Sequence, residues 1–172
     1  MFNEIKKDIV KMGLAILKES FVVGTWGNVS VKIPKKNYFA ITPSGMDYSK
    51  IKTEDIVILD FDGNVIEGDR IPSTEWQLHA EIYKKREDIS AIIHTHSLYA
   101  SAMASARKPI PPTMEDLVCV VGGGVNIANY ALPGSKELAY NAVTALENKF
   151  CVLQCSNCII SKFMVLFVSE KR

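Results

Sequence analysis

The spacing of apolar residues changes several times along the chain, and these changes restrict the fold more than any other feature. Between residues 3 and 20 apolar residues recur at helical spacing, which predicts an amphipathic helix. Between residues 29 and 66 they alternate with polar residues in short runs separated by turn signals, which predicts strands joined by hairpins. Further helices are predicted at 73–86, 98–105 and 135–148, and further strands at 90–93, 125–128 and 150–154. This order favours an α/β layered domain whose helices cover a partly antiparallel sheet.

Composition agrees with one globular domain and excludes several functions. A chain of 172 residues with 48% hydrophobic content is expected to form one core. Its 20 basic residues are balanced by 19 acidic ones without a basic stripe, so nucleic acid is not an expected partner. No apolar run reaches the length of a membrane span and the N-terminus lacks a signal-peptide core, so we expect no membrane association and a cytoplasmic location.

Two histidines form the first candidate site. His94 and His96 follow a predicted buried strand, in which side chains at positions i and i+2 point to the same face. Both rings could therefore bind one metal ion, and imidazole is a common zinc ligand. The alternative is a pair of partly exposed histidines at the end of a strand. His79, inside a predicted helix, is interpreted as a structural residue.

Three loops are candidate anion sites. Glycines let the backbone approach a ligand, and hydroxyl or amide groups can bind it. The candidate binding residues are Thr25 and Asn28 in the first loop, Ser44 and Gly45 in the second, and Ser73 and Thr74 in the third. The third loop leads into a predicted helix whose first turn contains Glu75 and whose free N–H groups favour an anion. Turns are built from the same residue types, so a structural role is the alternative for each loop.

Four motifs in this order resemble the class II aldolase and adducin-head family. They are GTWGNVS at 24–30, ITPSG at 41–45, PSTEW at 72–76 and IHTH at 93–96, and the resemblance extends over residues 3–153. It implies a three-layer αβα sandwich with a central mixed, largely antiparallel sheet. It also implies a homotetramer with active sites between the subunits.

The resemblance further implies residue roles. A substrate phosphate would bind to Thr25, Asn28, Ser44, Gly45, Ser73 and Thr74, zinc would bind to His94 and His96, and Glu75 would be the acid/base. The implied function is a zinc-dependent aldolase that cleaves a small sugar phosphate, such as L-fuculose 1-phosphate, to dihydroxyacetone phosphate and an aldehyde. A sugar-phosphate epimerase or dehydratase of the same family is an alternative, as is a non-catalytic association module like that of adducin.

The end of the sequence departs from the family pattern. Zinc-binding members have a third histidine after the strand that corresponds to 150–154, where this chain has Gln154 and Cys155. One hypothesis is that Cys155 or Cys158 replaces that ligand. Another is that the residues after Gln154 arise from a frameshift, because a frame shifted at the Phe163 codon could encode the missing His-Gly motif. We therefore expect one domain over 1–172 that lacks the family's C-terminal helices and ends in an atypical tail at 155–172.

Overall fold

The computed structural model describes residues 2–154 and the backbone of one further strand at 164–170. Five helices are present in this part of the chain: α1 (Asn3–Lys18), α2 (Trp76–Lys85), α3 (Leu98–Ser105), α4 (Glu115–Val121) and α5 (Lys136–Leu146). The strands are β1 (Asn28–Lys32), β2 (Tyr38–Ile41), β3 (Val57–Asp60), β4 (Val65–Glu67), β5 (Ile89–Thr95), β6 (Asn126–Ala128), β7 (Cys151–Gln154) and β8 (Met164–Glu170). None of these helices has the length and apolar character that a membrane crossing requires.

The strands form one mixed sheet in the order β4-β3-β2-β1-β5-β8-β7-β6. Neighbouring strands are antiparallel except β6 and β7, which run parallel. The parallel pair is joined through α5, as expected because parallel strands need a long crossover connection. The prediction of a mixed, largely antiparallel sheet is therefore confirmed.

Helices cover both faces of the sheet. Along β2, Phe39 and Ile41 belong to the core cluster that contains residues of α2 and α5, whereas Ala40 belongs to the cluster beneath α1. Along β7, Val152 faces the α5 side and Leu153 packs with residues of α3 and α4. This alternation follows from the two-residue period of a strand, and it confirms the predicted three-layer αβα sandwich.

Several element boundaries differ from the predictions. Helix α2 begins at Trp76, so Glu75 occupies the N-cap position and its side chain forms no cap. The N–H of Glu75 donates to Ser73 Oγ at 3.4 Å. Strand β5 continues to Thr95 and includes His94, because its pairing with β1 extends that far. Helix α4 was not predicted, since its seven residues are too few to show a helical period. Cys155 and Cys158 lie outside the described residues.

The turn between β3 and β4 contacts the beginning of α2. Gly63 in this turn has a φ of 92°, a left-handed conformation that glycine adopts without strain. A Cβ atom at Gly63 would collide with the ring of Trp76, the first residue of α2. Trp76 itself packs against the core cluster of α2 and α5. The close approach of turn and ring therefore helps to fix where the helix starts.

We predict that Gly63→Ala lowers the free energy of unfolding by about 2–4 kcal/mol, because it adds left-handed strain to a collision with Trp76. Gly24→Ala is the matched control, since Gly24 also has a positive φ of 61° but a Cβ there would meet nothing within 4 Å. The control should lose only the strain energy, about 1–2 kcal/mol. Urea denaturation of the two variants measures the difference, and equal losses would contradict the contact with Trp76.

Candidate active site

The candidate site lies at the edge of the sheet where β1 begins and where β2 and β5 end. Antiparallel pairing places Asn28, the first residue of β1, opposite His94 near the end of β5. On the other side of β1, Ser30 pairs with Ile41, the last residue of β2. Chain segments that are far apart in the sequence therefore meet at one edge.

Backbone hydrogen bonds join the loops at this edge. Ser44 N donates to Ile71 O at 2.9 Å, and Ser73 N donates to Thr42 O at 3.1 Å, so the second and third candidate loops lie side by side. His96 N donates to Phe21 O at 2.8 Å, which ties the end of β5 to the segment that leads into the first loop. All three loops are thus held against the histidine pair.

Gly27 allows the first loop to pass close to β5. Its φ is 81°, and a Cβ atom at this position would lie 2.6 Å from the backbone oxygen of His94. No side chain can be accommodated at that distance from a backbone atom. Contact with the end of β5, which contains His94, therefore explains the second glycine of the GTWGNVS motif, Gly27.

All nine predicted site residues line one cavity of about 240 Å³. Its walls include Thr25, Asn28, Ser44, Gly45, Ser73, Thr74, Glu75, His94 and His96. Thr25, Ser44 and Thr74 are exposed, whereas Asn28 and His94 are buried. A larger cavity of about 700 Å³ beside β6 and α5 contains none of the predicted residues among those that line it. The smaller cavity is therefore the candidate active site, because the chemically capable side chains converge there.

The predicted site left out four residues of the cavity wall: Trp26, Gly27, Pro43 and Pro133. The ring centroid of Trp26 lies 5.5 Å from that of His96, so the tryptophan flanks the histidine pair. Trp26 and Pro43 stand inside motifs that were identified, and their neighbours in the sequence could have suggested them. Pro133 comes from the segment before α5, and no sequence signal connects that segment with the site.

Glu75, His94 and Asn28 form the buried centre of the site. Glu75 Oε2 lies 2.6 Å from His94 Nδ1 and accepts a hydrogen bond of 2.8 Å from Asn28 Nδ2. Asn28 was expected to contact the substrate phosphate; it lines the cavity, but its amide nitrogen donates to Glu75. The structure therefore connects the first loop to the carboxylate of the third.

The carboxyl group of Glu75 is ionised at neutral pH. Burial by itself raises the pKa of Glu75, but the neighbouring His94 ring and the hydrogen bonds from His94 and Asn28 outweigh burial and lower the pKa to about 2. A carboxylate can only accept, so the Nδ1 atom of His94 carries the proton that Glu75 Oε2 binds. A neutral His94 ring then has its lone pair on Nε2.

This arrangement leaves one ring nitrogen of His94 available to a ligand. Its Nε2 atom is buried and has no hydrogen-bond partner among the described residues. Metal-binding histidines commonly donate their other N–H to a carboxylate, as His94 does to Glu75. The ring of His96 is stacked on that of His94 with centroids 4.9 Å apart, as the i, i+2 spacing predicted. Within residues 2–154, however, no three His, Cys, Asp or Glu residues are grouped closely enough to hold a metal.

Comparison with known proteins agrees with this geometry. Residues 7–158 match the family described as the class II aldolase and adducin N-terminal domain. The chain belongs to this family. It is 38% identical over 161 residues, 94% of its length, to the 5-deoxy-D-ribulose 1-phosphate aldolase of Bacillus thuringiensis serovar kurstaki, and covers 75% of that relative.

Two further relatives show the range of the family. The chain is 42% identical over 112 residues, 64% of its length and 46% of the relative's, to the probable L-ribulose-5-phosphate 4-epimerase UlaF of Mycoplasma pneumoniae. A solved structure of an L-fuculose 1-phosphate aldolase superposes with a TM-score of 0.90 at 40% identity, covering 98% of this chain and 76% of the other. This class II aldolase family member thus resembles enzymes that differ in reaction and in sugar.

His79 lies beneath the site and is fully buried, as its interpretation as a structural residue requires. Burial, together with the nearby His94 ring, lowers the pKa of His79 to about 3. The folded chain therefore keeps this ring neutral where an unfolded chain, with a pKa of about 6.5, would protonate it. Between these two pKa values the unfolded state binds more protons, so stability rises with pH.

We predict that His79 makes the folded protein lose about 2 kcal/mol of stability between pH 7 and pH 5, about 1.4 kcal/mol for each pH unit below 6.5. His79→Gln should remove this share of the pH dependence, whatever its effect on stability at pH 7. Urea unfolding at the two pH values measures both slopes. An unchanged slope in the variant would show that His79 is protonated in the folded state.

Proposed function

We propose that this protein is a metal-dependent aldolase that cleaves a small phosphorylated sugar, such as L-fuculose 1-phosphate, to dihydroxyacetone phosphate and an aldehyde. One observation carries the proposal: the three loops predicted to bind an anion, an ionised glutamate and two stacked histidines line a single cavity. A cavity of about 240 Å³ is on the scale of a small ligand. Two of the relatives are aldolases of phosphorylated sugars, which supports a phosphorylated sugar as the substrate.

The loops are suited to hold the phosphate. Thr25, Ser44 and Thr74 carry exposed hydroxyl groups at the cavity wall. Gly45, with a φ of 67° and open space around its Cβ position, leaves the backbone accessible to a ligand. The third loop leads into α2, whose N-terminal N–H groups favour an anion. Binding energy at the phosphate would orient the rest of the substrate toward Glu75 and the histidines.

Glu75 is the candidate acid/base. In the condensing direction a carboxylate can remove a proton from the carbon beside the substrate carbonyl, and in the cleaving direction it returns that proton. Its low pKa keeps Glu75 ionised, and the hydrogen bond from Asn28 holds the carboxylate in the cavity. Its side chain is mostly buried but still lines the cavity, so a substrate could reach it.

His94 and His96 would hold the metal, which we propose to be zinc. When bound, zinc supplies an electrophile that withdraws electrons from the substrate carbonyl. Glu75 fixes the tautomer of His94 that leaves Nε2 as a ligand atom. A third donor is needed for a zinc site and is not found among the described residues. We propose that Cys155 or Cys158, which lie outside the described residues, supplies this third donor.

We also propose that the protein assembles as a homotetramer.

Epimerisation of a sugar phosphate is the second candidate reaction. It is favoured by the 42% identity over 112 residues to a probable L-ribulose-5-phosphate 4-epimerase. Both reactions need a phosphate site, a carbonyl electrophile and a group that moves a proton, and the cavity offers the same residues to either. The products distinguish them, because only the aldolase releases dihydroxyacetone phosphate.

We predict that the protein releases dihydroxyacetone phosphate from L-fuculose 1-phosphate or 5-deoxy-D-ribulose 1-phosphate, and that Glu75→Gln lowers kcat by about 10²–10⁴-fold, the range expected for loss of an acid/base. A coupled assay for dihydroxyacetone phosphate measures the rates. The matched control is Glu81→Gln, which removes a carboxylate from the same helix whose contact is an ion pair with Lys84. Epimerised pentose phosphate as the only product would favour the second reaction, and no turnover of either class would favour an association module.

We predict about one zinc ion per chain, and its loss in His94→Ala, because Nε2 of His94 is oriented as a ligand atom. Elemental analysis of the purified, untagged protein measures the stoichiometry. Added zinc should also raise the melting temperature of the wild-type protein, since a ligand of the folded state stabilises it. A wild-type protein with no zinc and no thermal shift would contradict the proposed cofactor.

A further inference from the structure

A row of buried polar side chains lies between α2 and β1, directly beneath the candidate site. Glu75, the N-cap of α2, and His79 and Tyr83 within α2 are spaced four residues apart and share one face of the helix. On β1, Asn28 and Ser30 are two residues apart and share one face of the strand. The two rows face each other. Glu75 contacts Asn28, and both His79 and Tyr83 contact Ser30. We refer to Ser30, His79 and Tyr83 as the polar seam.

Ser30 is the centre of the polar seam. Its Oγ atom lies 2.6 Å from His79 Nδ1 and 2.8 Å from the hydroxyl of Tyr83. One residue pair closer to the cavity, Asn28 Nδ2 donates to Glu75 Oε2 at 2.8 Å. Three hydrogen bonds therefore join this face of α2 to this face of β1. Only the bond between Asn28 and Glu75 lies at the cavity.

The hydroxyl and imidazole groups of the polar seam are not needed for apolar packing. Leu78, Ala80, Ile82 and the ring of Tyr83 already place α2 in the main core cluster. Buried hydroxyl and imidazole groups are costly unless they are paired, whereas apolar side chains tolerate small shifts of a helix. Hydrogen bonds of fixed length and direction therefore select one rotation of α2 about its axis, which apolar contacts alone would leave less defined.

The rotation of α2 decides where Glu75 points. Successive residues of a helix are about 100° apart around the axis, so a small rotation would move the carboxylate away from His94 and Asn28. We infer that Ser30, His79 and Tyr83 are positioning residues that hold Glu75 against His94 by fixing the rotation of α2 on β1. The inference deepens the proposed function and, where it concerns turnover, rests on it.

The burial of the polar seam separates this role from catalysis. Ser30 and His79 are 0% exposed and Tyr83 is 1% exposed, and none of the three is among the residues that line the cavity. They cannot touch a substrate there. Whatever they contribute to the reaction must pass through Glu75 and Asn28, the two cavity residues that continue the same rows.

The test uses Ser30→Ala, which removes the central hydroxyl, and Tyr83→Phe, which removes one hydroxyl and keeps the ring. We expect kcat for aldol cleavage to fall about tenfold in each, with KM within about twofold of wild type, because a displaced Glu75 impairs proton transfer more than phosphate binding. Steady-state kinetics measure both quantities, corrected for the folded fraction.

Ile82→Val is the matched control, because Ile82 is fully buried on the same helix and the change removes one methyl group without altering a hydrogen bond. It should lower the melting temperature and leave kcat unchanged. If Ser30→Ala and Tyr83→Phe also lower only the melting temperature, the polar seam is merely structural and the inference is wrong.

A second measurement does not depend on turnover. In protein treated with a chelator to remove bound metal, the ¹⁵N chemical shifts of the His94 ring report which nitrogen carries the proton. The contact with Glu75 fixes it on Nδ1 in the wild-type protein. Ser30→Ala and Tyr83→Phe should shift these resonances toward a mixture of tautomers, and Ile82→Val should not. Unchanged resonances in the first two variants would overturn the inference. A wild-type protein without aldolase activity would refute the proposed function and leave this measurement valid.

Discussion

The antiparallel pairing of β1 with β5 places Asn28 opposite His94, and the geometry of the site depends on this register. A slip by one residue would turn every side chain of one strand to the opposite face. Asn28 would then lose Glu75, and Ser30 would lose His79 and Tyr83. The register is maintained by burial, because Val29 and Ile93 face the α1 side of the sheet while Ile92 faces the α2 side.

Around this pairing the protein buries groups that are expensive to bury. An ionised carboxylate and an imidazole lie together in a mostly water-excluded position, where their attraction is stronger than it would be in water. The carboxylate is bonded to His94 and Asn28, whereas Nε2 of His94 has no partner among the described residues. The exposed hydroxyl groups of the loops stand at the rim. The reaction proposed on a phosphorylated sugar would use this separation of a buried carboxylate and imidazole from exposed hydroxyl groups.

Much of the fold could be predicted because its elements have clear local signals. Helix α3 was predicted with the bounds that the structure shows, and α1 and β1 with bounds within two residues of them. Helix α4 was missed because it is short, and the helix predicted at 73–86 begins in the structure only at Trp76, after the N-cap residue Glu75. The order of the strands in the sheet could not be derived from periodicity, since it depends on contacts between distant segments.

Local sequence determined which residues could do chemistry. The glycines of the loops, the i, i+2 spacing of His94 and His96 and the acid before α2 are properties of short segments, and the family resemblance joined them into one expected site. Only the tertiary structure decided how they meet: that Asn28 donates to Glu75, that Glu75 selects the tautomer of His94, and that Pro133 closes the wall. These contacts join residues many positions apart in the chain. Their existence depends on sheet register and helix rotation, which long-range burial and hydrogen bonding fix and local sequence does not.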